Sequence, residues 1–211
     1  MKNQIHPAAW DIPTRVNGNC YVFSLGPKEK PGGFHRRVYK ARPGDKCQSG
    51  KNCCYKDKPF DFTDCKELTS RIVCDNKKHV IPLRKNVSVV TPLPDGFHMM
   101  CAMLSPNNHT DFHFARRFAR SDLRKSDIKR LLATTPEPAR SQLQRIKPNG
   151  YIWMHQRGWM KGGPICYDAS NNLITNVRKC DMKYGELDYN LMCTFFKVET
   201  RRATVTTEFE F

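Results

Sequence analysis

The sequence predicts an α+β fold, a mostly antiparallel sheet with a few short helices, and three observations carry that expectation. Short, β-rich apolar segments bounded by turn formers fill most of the chain beyond residue 86. Few stretches show helical spacing, and those interrupt the strands rather than alternate with them. A chain of 211 residues can bury a proper core, and the length fits one domain over residues 1–211.

Taken in order, the first element is "VNGNCYVFSLG". Asn17, Gly18 and Asn19 form a turn, Tyr21, Val22, Phe23 and Leu25 supply an apolar segment, and Gly26 with Pro27 end it after about two helical turns. Residues 26–61 ("GPKEKPGG", "ARPGDK", "KDKPF") are rich in Gly, Pro and Lys and read as a loop-dominated, cysteine-containing insertion. Behind a Thr63 cap, Cys65, Leu68 and Ile72 recur at helical spacing, which predicts a short helix over 63–74.

Strands follow in "NVSVVTPL", "FHMMCAML" and "TDFHFARRF", separated by the turn signals "LPDG" and "SPNN". "SDLRKSDIKRLLA" then places Leu123, Ile128, Leu131 and Leu132 on one side of a helix and its basic residues on the other, the pattern of an amphipathic element with a wet basic face. "GYIWMHQ" and "DYNLMCTFFKV" return to strand character, and "YDASNNLITNV" between them reads as a turn with Asp168 to Asn172 at its tip. In "GYIWMHQRGWMKGGPICYDA", Trp153 and Trp159 beside Gly162 and Gly163 read either as core packing with a turn or as the wall of a ligand groove. Residues 200–211 alternate Ala203, Val205, Thr207, Phe209 and Phe211 against polar residues. That period predicts an edge strand or arm, pairing within the chain or reaching a neighbour in an assembly.

Lys and Arg number 36 against 20 Asp and Glu, a net charge of +16 spread along the chain rather than held in a tail. Such an excess points to an acidic partner, either an acidic protein surface or nucleic acid. Zinc-finger, basic-zipper and RNA-recognition signatures are missing, so nucleic-acid contact is expected through phosphates rather than bases. No apolar run of about 18 residues predicts a membrane span, and the N-terminal segment lacks an apolar signal core. Synthesis inside the cell is the expectation, with a virion as a further location.

Ten cysteines leave three explanations open. A disulfide framework needs an oxidising compartment. Metal binding by Cys47, Cys53, Cys54 and Cys65 departs from the usual zinc spacing of ligand pairs, and neither a metal nor another cofactor is expected. Cys101 and Cys193, inside apolar runs, read as small buried residues.

The sharpest chemical candidate is Cys20. A thiol becomes a nucleophile as thiolate, and a helix start beside a histidine supplies positive potential and a proton acceptor. His98 opens the strand "FHMMCAML" after a turn, where its ring can project toward a neighbouring helix. Asp111 and His113 share one face of the next strand if Phe112 and Phe114 face the core, so either can orient His98, with His109 in the connecting turn as a third choice.

A cysteine at a helix start, a histidine opening a strand and a polar residue on the following strand resemble the papain-like superfamily in its compact NlpC/P60 and CHAP forms. That resemblance spans residues 16–26 and 95–118 and implies a cysteine peptidase or amidase with Cys20 as nucleophile, His98 as general base and Asp111 or His113 as orienter. The large cysteine-rich insertion and the short helix after Cys20 depart from the pattern. "NCY" at 19–21, "DFHF" at 111–114 and "WMH" at 153–155 are also similar to proteins of phages and large DNA viruses, which adds His155 and implies a viral setting. The alternative is a noncatalytic basic structural or binding protein, such as a minor virion or capsid component.

Overall fold

The computed structural model describes residues 19–26, 42–44, 60–61, 63–107, 110–157, 163–200 and 202–203. Helix α1 (Cys20–Leu25) starts where the Asn19 side chain accepts the Val22 N–H, and it stops where Gly26 adopts φ +57° and returns its own N–H to the Val22 carbonyl. Helix α2 (Cys65–Asp75) is capped by Asp64, which accepts the Lys66 N–H, and not by Thr63. Thr63 instead donates to Asp61 from both its N–H and its hydroxyl, forming the turn ahead of the cap. Leu68 and Ile72 are fully buried, as the helical spacing requires.

Strand β1 (Val80–Pro82) is followed by two nine-residue strands, β2 (Phe97–Ser105) and β3 (Asp111–Ala119), paired antiparallel with Met103 opposite His113. A 3-10 turn (Arg120–Asp122) leads to α3 (Lys125–Thr134) and α4 (Ala139–Arg145). Then come β4 (Tyr151–His155), the small hairpin of β5 (Lys183–Tyr184) and β6 (Leu187–Asp188), and β7 (Leu191–Glu199). Five strands form one antiparallel sheet in the order β1-β7-β2-β3-β4. The α+β class and the mostly antiparallel sheet are therefore present.

Both faces of the sheet are covered, which explains why β2 and β3 read as apolar runs rather than alternating ones. One face packs Met100, Ala102, Leu104, Phe112, Phe114, Phe196 and Val198 against α1 and α2. At its β4 end, Phe118, Ile152 and Met154 meet Leu131 and Leu143 of α3 and α4. The other face packs Met99, Cys101, Met103, Ala115, Trp153 and Phe195 against Val89, Ile174, Val177, Met182 and Tyr189 from irregular segments. Trp153 is fully buried with its ring edge-on to Phe195, so it belongs to the core rather than to a ligand groove.

Two further sequence expectations change, and one element was not expected. "NVSVVTPL" forms turns and no strand, because the Val89 and Thr91 carbonyls accept hydrogen bonds from the Arg117 guanidinium at 2.7 Å each instead of a neighbouring strand. Cys193 is half-buried and joined in a disulfide to Cys65, tying the start of α2 to β7, so it is not a simple apolar residue. Helix α4 was absent from the sequence pattern, since Pro138 occupies its N-cap and no side chain caps it. The tip predicted at Asp168 to Asn172 is there: the Asp168 carboxylate accepts the Ser170 and Asn172 N–H groups, and Tyr167 bridges Leu173. The insertion at 26–61, apart from its few described residues, and the arm at 204–211 lie outside the described residues, as do Cys47, Cys53, Cys54 and His109. Among the described residues no group of three or more His, Cys, Asp and Glu side chains is arranged to hold a metal ion, and no helix is long and apolar enough to cross a membrane.

α1 is held at both ends. The Tyr21 hydroxyl donates to Asp75 of α2 at 2.9 Å, and Tyr21 packs on Phe114. A Cβ on Gly26 would collide with the guanidinium of the buried Arg116. Gly26→Ala combines that collision with a left-handed backbone and is expected to cost roughly 1–3 kcal/mol, read as a lower urea midpoint at unchanged slope.

Candidate active site around Cys20, His113 and His155

Strand pairing places Cys20. β4 pairs with β3 only from Ala115 to Ala119, so on the β4 side the Asp111–Phe114 stretch has no strand partner among the described residues. The Trp153 and His155 N–H groups point away from β3, to the Ile174 and Ile165 carbonyls, which leaves the even-numbered residues of β3 to face β4. The Phe112 carbonyl and the Phe114 N–H therefore point out of the open edge. The Cys20 sulfur occupies that edge: its thiol faces the Phe112 carbonyl at 3.9 Å, and the Phe114 N–H faces the sulfur. The first residue of α1 thus lies against the backbone on both sides of His113.

His113 and His155 point to the other face of the sheet, on adjacent strands, and their rings meet edge to face. Hydrogen-bond logic fixes the protons. The Tyr167 carbonyl can only accept, so His155 donates to it from Nε2 at 3.1 Å and keeps a lone pair on Nδ1. His113 donates from Nε2 to that lone pair at 2.7 Å. The remaining nitrogen of His113, Nδ1, is then a proton acceptor with no hydrogen-bond partner among the described residues. A base aligned by a third group is the arrangement that nucleophilic catalysis requires.

Tyrosines and one carboxylate close the site. Tyr189 stacks on His113 with ring centroids 4.8 Å apart and donates its hydroxyl to Asp111 at 2.7 Å. The Tyr184 hydroxyl lies 3.4 Å from His155 Nε2. Gln156, next after His155, is 3% exposed, and its carboxamide oxygen has no partner among the described residues. Asp111 is thus bound to Tyr189 and sits beside Cys20, where it adds to burial in pushing the thiol up. Burial and the neighbouring charges of Arg157 and, for His113, His155 push both imidazoles down, His155 to about 4.

His98 is not brought to the Cys20 sulfur. Its Nε2–H donates to the Ser24 carbonyl at 2.7 Å, and its Nδ1 accepts the Thr200 hydroxyl at 3.1 Å, so both nitrogens are spent. Nor does Asp111 or His113 orient it. His98 shares the parity of Met100 and faces α1, whereas Asp111 and His113 face the opposite side of the sheet. His98 also lies five residues from Met103, the partner of His113, or about 16 Å along the strand. His98 instead caps the C-terminal end of α1. Of the sequence candidates, then, Cys20 lies beside Asp111 and against the backbone that flanks His113, and His98 stands at the other end of the helix. The residue that completes the cluster, His155, was signalled only by the "WMH" segment.

The buried histidines predict a pH dependence. In the unfolded chain they take up a proton near pH 6.5, while the folded protein holds them neutral to lower pH, so the unfolded state binds more protons in between. Stability is complete above about pH 7 and is lost as pH falls. For His155 alone the loss between pH 6.5 and its folded value of about 4 is on the order of 3 kcal/mol. Urea midpoints measured from pH 8 to pH 4 check this, and His155→Asn flattens the slope.

Comparison of the chain with protein-family models, curated proteins and solved structures returned no match. Function therefore rests on the geometry.

Proposed function

We propose that the chain is a cysteine-dependent peptidase or amidase of papain-like arrangement, with Cys20 as nucleophile, His113 as general base and His155 as the group that orients it. The observation that carries this is the 2.7 Å His113–His155 hydrogen bond, which leaves His113 Nδ1 unspent among the described residues, on the residue between Phe112 and Phe114 whose backbone meets the Cys20 sulfur. His113 Nδ1 takes the thiol proton and the thiolate adds to the substrate carbonyl. The C–N bond then breaks as His113 returns the proton to the departing amine, and water hydrolyses the thioester. The Gln156 carboxamide oxygen, unpartnered among the described residues, is a buried acceptor suited to the N–H of a bound amide. The proximity of the "NCY", "DFHF" and "WMH" segments supports a common purpose for the three.

A second reading is favoured by one observation: Cys20 is only 4% exposed, and burial raises its thiol. On this reading the cluster is a structural core and the protein a noncatalytic, basic structural or binding component of a virion or other assembly. Its +16 charge would then meet an acidic protein surface or nucleic acid.

Alkylation separates the two. Iodoacetamide rates at each cysteine of the native protein, followed from pH 5 to 9 by peptide mass spectrometry, are expected to show Cys20 labelled selectively well below pH 8. Labelling of Cys20 no faster than of Cys101, a fully buried thiol, assigns the protein to the second reading.

A further inference from the structure

We propose that Arg157 is a substrate-anchoring cation, and that the amide cleaved at Cys20 carries a carboxylate close to the scissile bond; this rests on the hydrolase reading. Arg157 follows His155 by two residues, and its guanidinium stacks on the Tyr184 ring at 4.2 Å from the centroid. Tyr184 in turn reaches His155 with its hydroxyl. The cation is thus held beside the histidine pair by an aromatic face, and its N–H groups have no partner among the described residues.

No carboxylate of the described residues neutralises it. Three acids are near the cluster, and each is engaged elsewhere. Asp168 accepts the Ser170, Asn172 and Asp181 N–H groups. Asp181 accepts the Ser170 hydroxyl and the Lys183 N–H. Asp111 accepts its neighbour Phe112 N–H and the Tyr189 hydroxyl. A carboxylate offers this half-buried guanidinium two parallel charge-assisted hydrogen bonds.

Occupancy would also act on the base. Arg157 helps hold down the proton affinity of His113 and His155. A carboxylate paired with it cancels that effect, so an anionic substrate makes His113 more basic as it binds. Neutral amides would gain neither the anchor nor the stronger base.

The test uses two alkylating reagents of the same reaction, in each of which an S–C bond forms and iodide leaves. Iodoacetate carries the carboxylate and iodoacetamide does not. At pH 7 and low salt, Arg157→Gln is expected to lower the iodoacetate-to-iodoacetamide rate ratio at Cys20 by about tenfold, equivalent to roughly 1.4 kcal/mol. Arg157→Lys should restore part of it. An unchanged ratio in a protein whose Cys20 still reacts selectively overturns the Arg157 assignment and leaves the hydrolase reading standing. Slow labelling of wild-type Cys20 by both reagents, insensitive to His113→Asn, overturns both.

Discussion

His113→Asn is expected to slow iodoacetamide labelling of Cys20 at pH 7 by about thirtyfold or more, because a thiol without a base is only a few per cent thiolate at that pH. Burial of Cys20 makes the dependence steeper, since a sulfur out of water has little access to the charged form unless a neighbour accepts its proton. His155→Ala should cost part of the same effect by releasing the ring that aligns His113. His98→Gln, by contrast, should leave the Cys20 rate of the folded protein near wild type and lower stability by about 1–3 kcal/mol, through loss of the hydrogen bonds to the Ser24 carbonyl and the Thr200 hydroxyl. The opposite pattern, with Cys20 dependent on His98 and indifferent to His113, would return the base to the other end of α1.

The second large effect concerns the Cys65–Cys193 disulfide, which spans 128 residues of sequence. Replacing both cysteines by serine is expected to cost about 2–5 kcal/mol, near the upper end because the restricted loop is long. Urea unfolding with and without reductant checks it. Oxidised wild type should unfold at the highest urea concentration, and reduced wild type should coincide with the double variant. Equal midpoints for wild type in both conditions would mean that the bond does not form in solution. The remaining core would then hold α2 through Leu68 and Ile72, both fully buried.

Legibility differed from element to element for physical reasons. β2, β3, β4 and β7 were visible because each carries a dense apolar run between strong turn formers. α1 was visible because Asn19 and Gly26 bracket it with the chemistry of both caps. The 87–91 segment misled because its alternation of valines is that of a strand, while its hydrogen bonds go to a side chain, Arg117, supplied from far along the sequence. In the site, Cys20 was legible from its cap and the shared face of Asp111 and His113 from strand parity. Which histidine comes near the Cys20 strand edge was not. Position at the opening of a strand favoured His98, but which face of the sheet receives α1, and which end of the helix meets β3, are decided by register. His155 becomes a partner only because β4 ends there, opposite Ala115 and two pairing positions short of His113, a fact no local pattern encodes.

The strand order also determines when the molecule can be assembled. β7 lies between β1 and β2, so neither strand gains that neighbour until residues 191–199 have left the ribosome. Until then β2 and β3 make an apolar hairpin with one long unpaired margin, the kind of surface that recruits other chains during synthesis. Early folding is confined to contacts available locally, such as β2 with β3 and α3 with α4. β7 then inserts between β1 and β2 rather than adding at a margin, which is expected to make folding slow for a chain of this size. It also positions Cys193 opposite Cys65, so oxidation of that pair would report completion of the sheet.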